Sequence, residues 1–315
     1  MNVELRWIVS VSTSALHAAT AILQGRTLAD AALSEALTTP ARALGADLDE
    51  LPFERDQVLS HLVALSAGIE NNRQLANLAL TKVAGRGAAA PGVAAALAGR
   101  ISDLEAALGQ VRPELIDELA LRAGPLRQLW DERGPGMMAA VGRWTDANFV
   151  VSRADVVLVH PALGGDGVAH LPYNSVRLEA VLANPTPELP EVVRLGWLLS
   201  MLNFNLPIYS ESIPPARWPF LAAVALVPIA LASAGEVDWA SGAEPAIRLA
   251  LEKWHVLGMA VAGGNERAGN DVEALLSWWR TYQDTRPRWP VALAALDQML
   301  AGPEEGPENS AREAS

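Results

Sequence analysis

The chain has 315 residues, half of them apolar and 19% charged, a globular composition with ample material for a core. A formal charge of −12 argues against a binder of the phosphate backbone, which needs a basic face, so no nucleic-acid partner is expected. The absence of cysteine excludes disulfides, thiolate nucleophiles, cysteine-type zinc sites and iron–sulfur clusters.

At the N-terminus two periodicities compete. Val3, Leu5, Trp7, Val9 and Val11 alternate with polar neighbours, as in a strand; Leu5, Ile8, Ser12, Leu16, Ala19 and Leu23 fit one long helix. The alanine-rich stretch 13–24 tips the segment towards helix. Glu4 and Arg6, with Ser10, Ser12 and Ser14, do not make a signal peptide, so a cytoplasmic protein is expected. From there to about residue 145 the pattern is helical. Val58, Leu62, Leu65 and Ile69 form one stripe, and Val93, Leu97, Ile101, Leu104 and Leu108 another, with a loop over 85–92 between the two stretches. Pro113 suits the first turn of the next helix, predicted to end near Gly124-Pro125. A short turn over Leu126–Trp130 should then stop at 133–136.

Residues 147–161 carry two β-branched runs around Ser152–Ala154, which predicts two short strands or a hairpin. Gly164-Gly165-Asp166-Gly167 reads as a loop. Asn174 or Ser175 looks like the N-cap of a helix running to Asn184. Further on, Pro190, Pro219, Pro245 and Pro290 each announce a helix, the third expected over 246–259, and Asn270 is placed to cap another. The uncharged run 218–234 predicts a helix buried on all sides in preference to a membrane span, so no membrane partner is expected. The tail 303–315 is acidic, lacks apolar anchors and should be disordered. The fold expected is mainly α: a helical protein with a small β element at about 147–172 between two helical halves. Residues 1–302 are expected to form one globular unit, divisible at most into 1–145 and 146–302.

The glycine turn at 164–167 resembles that of the NAD kinase and diacylglycerol kinase families, where a Gly-Gly-Asp-Gly turn follows a strand and handles phosphate. In those families a threonine follows and strands alternate with helices beforehand. Here Val168 follows and about 140 helical residues precede, so the tight-turn reading is kept. His160, Asp166 and His170 have a spacing unlike that of two histidines one helical turn apart, so neither a metal nor a cofactor is expected. His17, His61 and His255 lie within helical patterns and carry no signal alone. The tryptophans of the C-terminal two thirds read as core fillers.

Two functions remain open, and whether the protein is an enzyme is undecided. One is a non-catalytic helical binding or assembly protein with a protein partner or as a homo-oligomer. The other is an enzyme or anion-binding protein with a pocket around 160–179. There His160 and His170 are the catalytic candidates, and Asp166, Tyr173, Asn174, Arg177 and Glu179 the ligand-binding ones. A helix N-terminus at Asn174 would favour an anion beside Arg177. The competing structural expectation makes Arg177 a buried ion-pair partner.

Overall fold

The computed structural model describes residues 3–85, 91–256 and 265–301. Among them the chain is mainly α with a small four-stranded sheet. Strand β1 (Glu4–Val9) comes first, followed by six helices: α1 (Val11–Leu23), α2 (Ala31–Asp49), α3 (Arg55–Ser66), α4 (Asn72–Ala84), α5 (Pro91–Val111) and α6 (Leu115–Trp144). Three strands then come in succession: β2 (Arg153–Val159), β3 (Gly167–His170) and β4 (Ser175–Glu179). The chain continues with α7 (Glu191–Ser200), α8 (Pro207–Ser210), α9 (Trp218–Gly235), α10 (Glu244–Lys253), α11 (Asn265–Thr285) and α12 (Trp289–Ala301).

The sheet order is β1-β2-β4-β3, with β1, β2 and β4 parallel and β3 antiparallel to β4. Side chains alternate between faces, so Val157, Arg177 and Glu179 share one face with Val168 and His170 of the neighbouring strand. That face meets α1. Val176 and Leu178 occupy the opposite face, towards α6 and α7. Gly167 is on this second face because a Cβ there would come within 2.6 Å of Leu198 on α7. The sheet is thus covered on both sides, as parallel sheets require. Buried apolar side chains from both helical halves join in one continuous cluster.

Several sequence expectations are corrected. Residues 4–9 form a strand and not the start of a long helix; α1 begins at Val11, capped by Ser10, whose Oγ accepts from the Thr13 amide at 3.1 Å. What decides this is β2, which pairs with β1 residue for residue and is clamped to it by Arg6 Nε donating to Asp155 at 2.8 Å. Tertiary pairing outweighs the local helical pattern. The hairpin expected over 147–161 is a single strand, β2; Phe149 is instead a core side chain, edge-on to Phe204, Tyr209 and Trp289. The helix expected from Asn174 is β4. All five of its side chains are buried, and Asn174 closes the preceding turn with φ 48°, its Nδ2 donating to Arg153 O at 2.7 Å. The β element therefore recruits residues 4–9 and 175–179 from outside the expected 147–172.

Helix α6 runs unbroken through Pro125 and Pro135, where a helix ending near Gly124-Pro125 and a further short turn were expected. Each proline removes a donor, but burial of Leu115, Leu119, Trp130, Met137, Met138 and Val141 holds the helix together across both. Asn270 lies inside α11 and does not cap it. Helix α10 stops at Lys253, short of the expected end, and residues 257–259 of that expectation lie outside the described residues. So do most of the 85–92 loop and the expected disordered tail. The apolar run forms α9. Pro215–Gly235 is long and apolar enough to cross a membrane, yet 72% of its apolar window is buried inside the protein, against α6, α7, α10 and α12.

Candidate functional site

A cavity of about 310 Å³ lies between α1, α3 and the edge strand β3. That is near the lower end of the range for small-molecule pockets. Helix α1 presents His17, Thr20, Ala21 and Gln24, and α3 presents Asp56, Leu59, Ser60 and Val63. Both sets follow the three-and-four spacing of a single helix face. Asp166, Gly167, Val168 and His170 come from the glycine turn and β3, and Arg177 from β4. Arg26, Trp197, Trp254 and His255 complete the wall. The two tryptophans stack with ring centroids 4.9 Å apart, and both are buried core side chains that also border the cavity.

Beneath the cavity runs a chain of buried charged groups. Glu179, 1% exposed, is its anchor. Its Oε1 accepts from the Leu163 amide at 2.8 Å and bonds His17 Nε2 at 2.6 Å; its Oε2 accepts from the Gly165 amide at 2.7 Å. The Gly165 amide of the glycine turn, which a phosphate cradle would offer to a ligand, is thus taken, with that of Leu163, by the protein's own carboxylate. Gly165 is required here: its φ is 131°, and a Cβ would come within 2.7 Å of Pro185. A carboxylate accepts, so His17 Nε2 carries the proton, and its Nδ1 accepts from the Arg177 guanidinium. With both ring nitrogens occupied, His17 has no free base to offer. Arg177 also donates to Asp166 Oδ2 at 3.1 Å. Arg26, at the rim, approaches the same oxygen at 3.7 Å, beyond hydrogen-bonding distance. The chain Glu179–His17–Arg177 therefore ends on Asp166, whose carboxylate forms part of the cavity wall.

Burial dominates the electrostatics. It pushes the Asp166 carboxyl above its usual range, against the opposing pull of Arg26, and raises Glu179 as well, against its amide hydrogen bonds. Arg177 is lowered to about 10 by burial, which still leaves it cationic at neutral pH. His170 falls to about 4 through burial and the proximity of His61, so it is neutral at physiological pH. Behind the glycine turn, Glu191 is raised to about 7 by burial, although Arg194 is 3.3 Å away.

The residues singled out in the sequence divide into three groups. Asp166, His170 and Arg177 line the cavity, and Glu179 supports it from below. His160 lies elsewhere, its amide donating to Ser14 Oγ at 3.1 Å, and burial lowers its pKa. Tyr173 and Asn174 border a separate surface hollow with Glu4, Arg6, Arg153 and Asp155; the Tyr173 hydroxyl bonds His61 Nδ1 at 2.6 Å. No helix begins at Asn174, so the dipole expected there to favour an anion is absent. Sequence reasoning passed over His17, Arg26, Asp56, Trp197, Trp254 and His255. One signal was available: Thr13, His17, Thr20 and the C-cap Gln24 follow the three-and-four spacing of one polar stripe along the alanine-rich α1. Among the described residues no three His, Asp or Glu side chains are grouped so as to hold a metal ion. Comparison with known protein families, curated proteins and solved structures finds no match to this chain.

Proposed function

We propose that the protein binds a small polar organic molecule in the cavity between α1, α3 and β3, with Asp166 as the group able to exchange a proton with it. The observation that carries this reading is the buried chain ending on Asp166 at the cavity wall. Burying paired charges is rarely the most stabilising way to fill a core, since apolar side chains of equal volume often do as well or better. A carboxylate held at a cavity by such a chain, with its proton affinity raised by burial, is the arrangement that acid–base and binding sites use. Trp197 and Trp254 in the wall supply both an apolar surface and an optical reporter. The test is a panel of metabolites followed by thermal shift and tryptophan fluorescence, on the wild type and on Val63→Trp, which fills the cavity. Ligands that bind the wild type and not the filled variant support the reading. No binding across the panel, or equal binding to both, removes it.

A second reading is self-association through the outer edge of β1. The Glu4 amide bonds to Ser152 O at 2.9 Å, so the even-numbered amides of β1 face β2 and those of Leu5 and Trp7 face outward. A second copy pairing antiparallel about Leu5 would set Glu4 of one copy opposite Arg6 of the other, twice. Light scattering on the wild type and on Leu5→Lys tests this. A dimer that the lysine dissociates supports it, and a monomeric wild type rejects it.

A further inference from the structure

We infer that the cavity's ligand is a zwitterion with an apolar group, of the kind an apolar α-amino acid presents, with its ammonium on Asp166 and its carboxylate on Arg26. This inference rests on the cavity being a binding site, and it adds the chemical class. Three observations lead to it.

First, the charges of the wall balance. Arg26 and Arg177 stand against Asp56 and Asp166, so the cavity favours neither a simple anion nor a simple cation. Second, Arg26 and Asp166 are only loosely paired. Arg26 Nη1 and Asp166 Oδ2 are 3.7 Å apart, and Asp166 already has its hydrogen bond from Arg177. A ligand whose own opposite charges are close together can satisfy both at once. A carboxylate on its own would be brought towards Asp166, and an amine on its own towards Arg26, each meeting a like charge. Third, Ala21, Leu59, Val63, Val168 and the stacked pair Trp197 and Trp254 give the wall an apolar part beside its polar side chains. That part of the wall can shelter an aliphatic or aromatic side chain.

The test compares matched ligands by isothermal titration calorimetry: leucine with 3-methylbutylamine and 4-methylpentanoate, and phenylalanine with 2-phenylethylamine and 3-phenylpropionate. Each trio shares one apolar body and differs only in its charges. The expected result is binding of at least one amino acid, with its amine and its acid each weaker by at least about tenfold. Arg26→Gln changes a half-exposed rim residue, so it should leave the melting temperature unchanged, weaken the amino acid by about tenfold and leave the amine unaffected or tighter. An amine or acid that binds within about threefold of its amino acid overturns the zwitterion inference and leaves the cavity reading standing. If no member of either trio binds, the zwitterion inference also falls, and the cavity reading is then decided by the metabolite panel on wild type and Val63→Trp.

Discussion

Removing the Arg177 side chain tests the physical basis of the site most directly. Arg177 is 6% exposed, donates to Asp166 and His17, and lies on the same strand face as Glu179. Substituting alanine leaves His17 Nδ1 without a donor and two carboxylates without a buried cation between them. Breaking a buried pair from one side costs about 3–5 kcal/mol, because the remaining charge stays desolvated. Asp166 retains some contact with water, which screens part of that cost and places the expectation at about 3–4 kcal/mol. For a chain of this size, at roughly 2 °C per kcal/mol, the melting temperature should fall by about 6–8 °C at pH 7. The pH dependence follows from the carboxylates. Both are already held above their usual pKa by burial, and losing the cation raises them further. A carboxyl whose folded pKa exceeds its unfolded value is penalised at high pH and relieved as pH falls through the folded pKa. The deficit should therefore be largest at neutral and alkaline pH and shrink towards pH 4. Melting curves by circular dichroism at several pH values, with Arg177→Ala alone and combined with Glu179→Gln, measure both effects; the second substitution should recover part of the loss. A melting temperature within about 2 °C of wild type at pH 7 would refute the reasoning.

Other expectations follow from neighbouring residues. Glu179→Ala removes the acceptor for two loop amides and for His17, and should cost about 3 kcal/mol, with faster amide exchange at Leu163 and Gly165 read by NMR. Glu191, raised from 4.5 to about 7, destabilises the fold when ionised. Glu191→Gln should then gain on the wild type by an amount that grows between pH 4.5 and pH 7, on the order of 3 kcal/mol in all, as followed by urea denaturation across that range. Gly165→Ala forces a side chain into Pro185 at a positive φ and should lower stability by about 1–3 kcal/mol in the same assay. Asn174→Val places a β-branched residue at φ 48° and should cost about 1–2 kcal/mol, whereas Asn174→Gly should cost less.

Helices were legible wherever one stripe did the packing. Val58 and Leu62, like Leu97, Ile101, Leu104 and Leu108, are buried as their spacing requires. Proline and asparagine misled when taken as punctuation. Pro125 and Pro135 did not stop α6, because long-range burial on either side outweighs two lost hydrogen bonds. Asn174 caps nothing, because a left-handed turn uses the same residue. The strand of residues 4–9 was hidden for a different reason: its partner lies far along the chain, and no local window contains both. The site behaved likewise. Asp166, His170, Arg177 and Glu179 were visible as a dense polar stretch, but His17 and Arg26 meet them only in three dimensions. Nothing in the stretch 160–179 alone could show that His160 and Tyr173 turn away.

The separation of β1 from β2 also has a consequence for how the protein is made. Arg6 and Asp155, which clamp the two strands together, are 149 residues apart in the chain. During synthesis at about 5–20 residues per second, β1 emerges roughly seven to thirty seconds before its partner exists. In that interval α1 to α5 can assemble on one another, α5 against α2, α4 and α1, while the six residues of β1 wait with unpaired backbone and half-apolar side chains. Strand β1 is therefore the last part of its half to be secured, and it stays open to mispairing or chaperone capture until β2 emerges. A circular permutant that starts at α1 and carries β1 after the present C-terminus would move this delay to the end of synthesis.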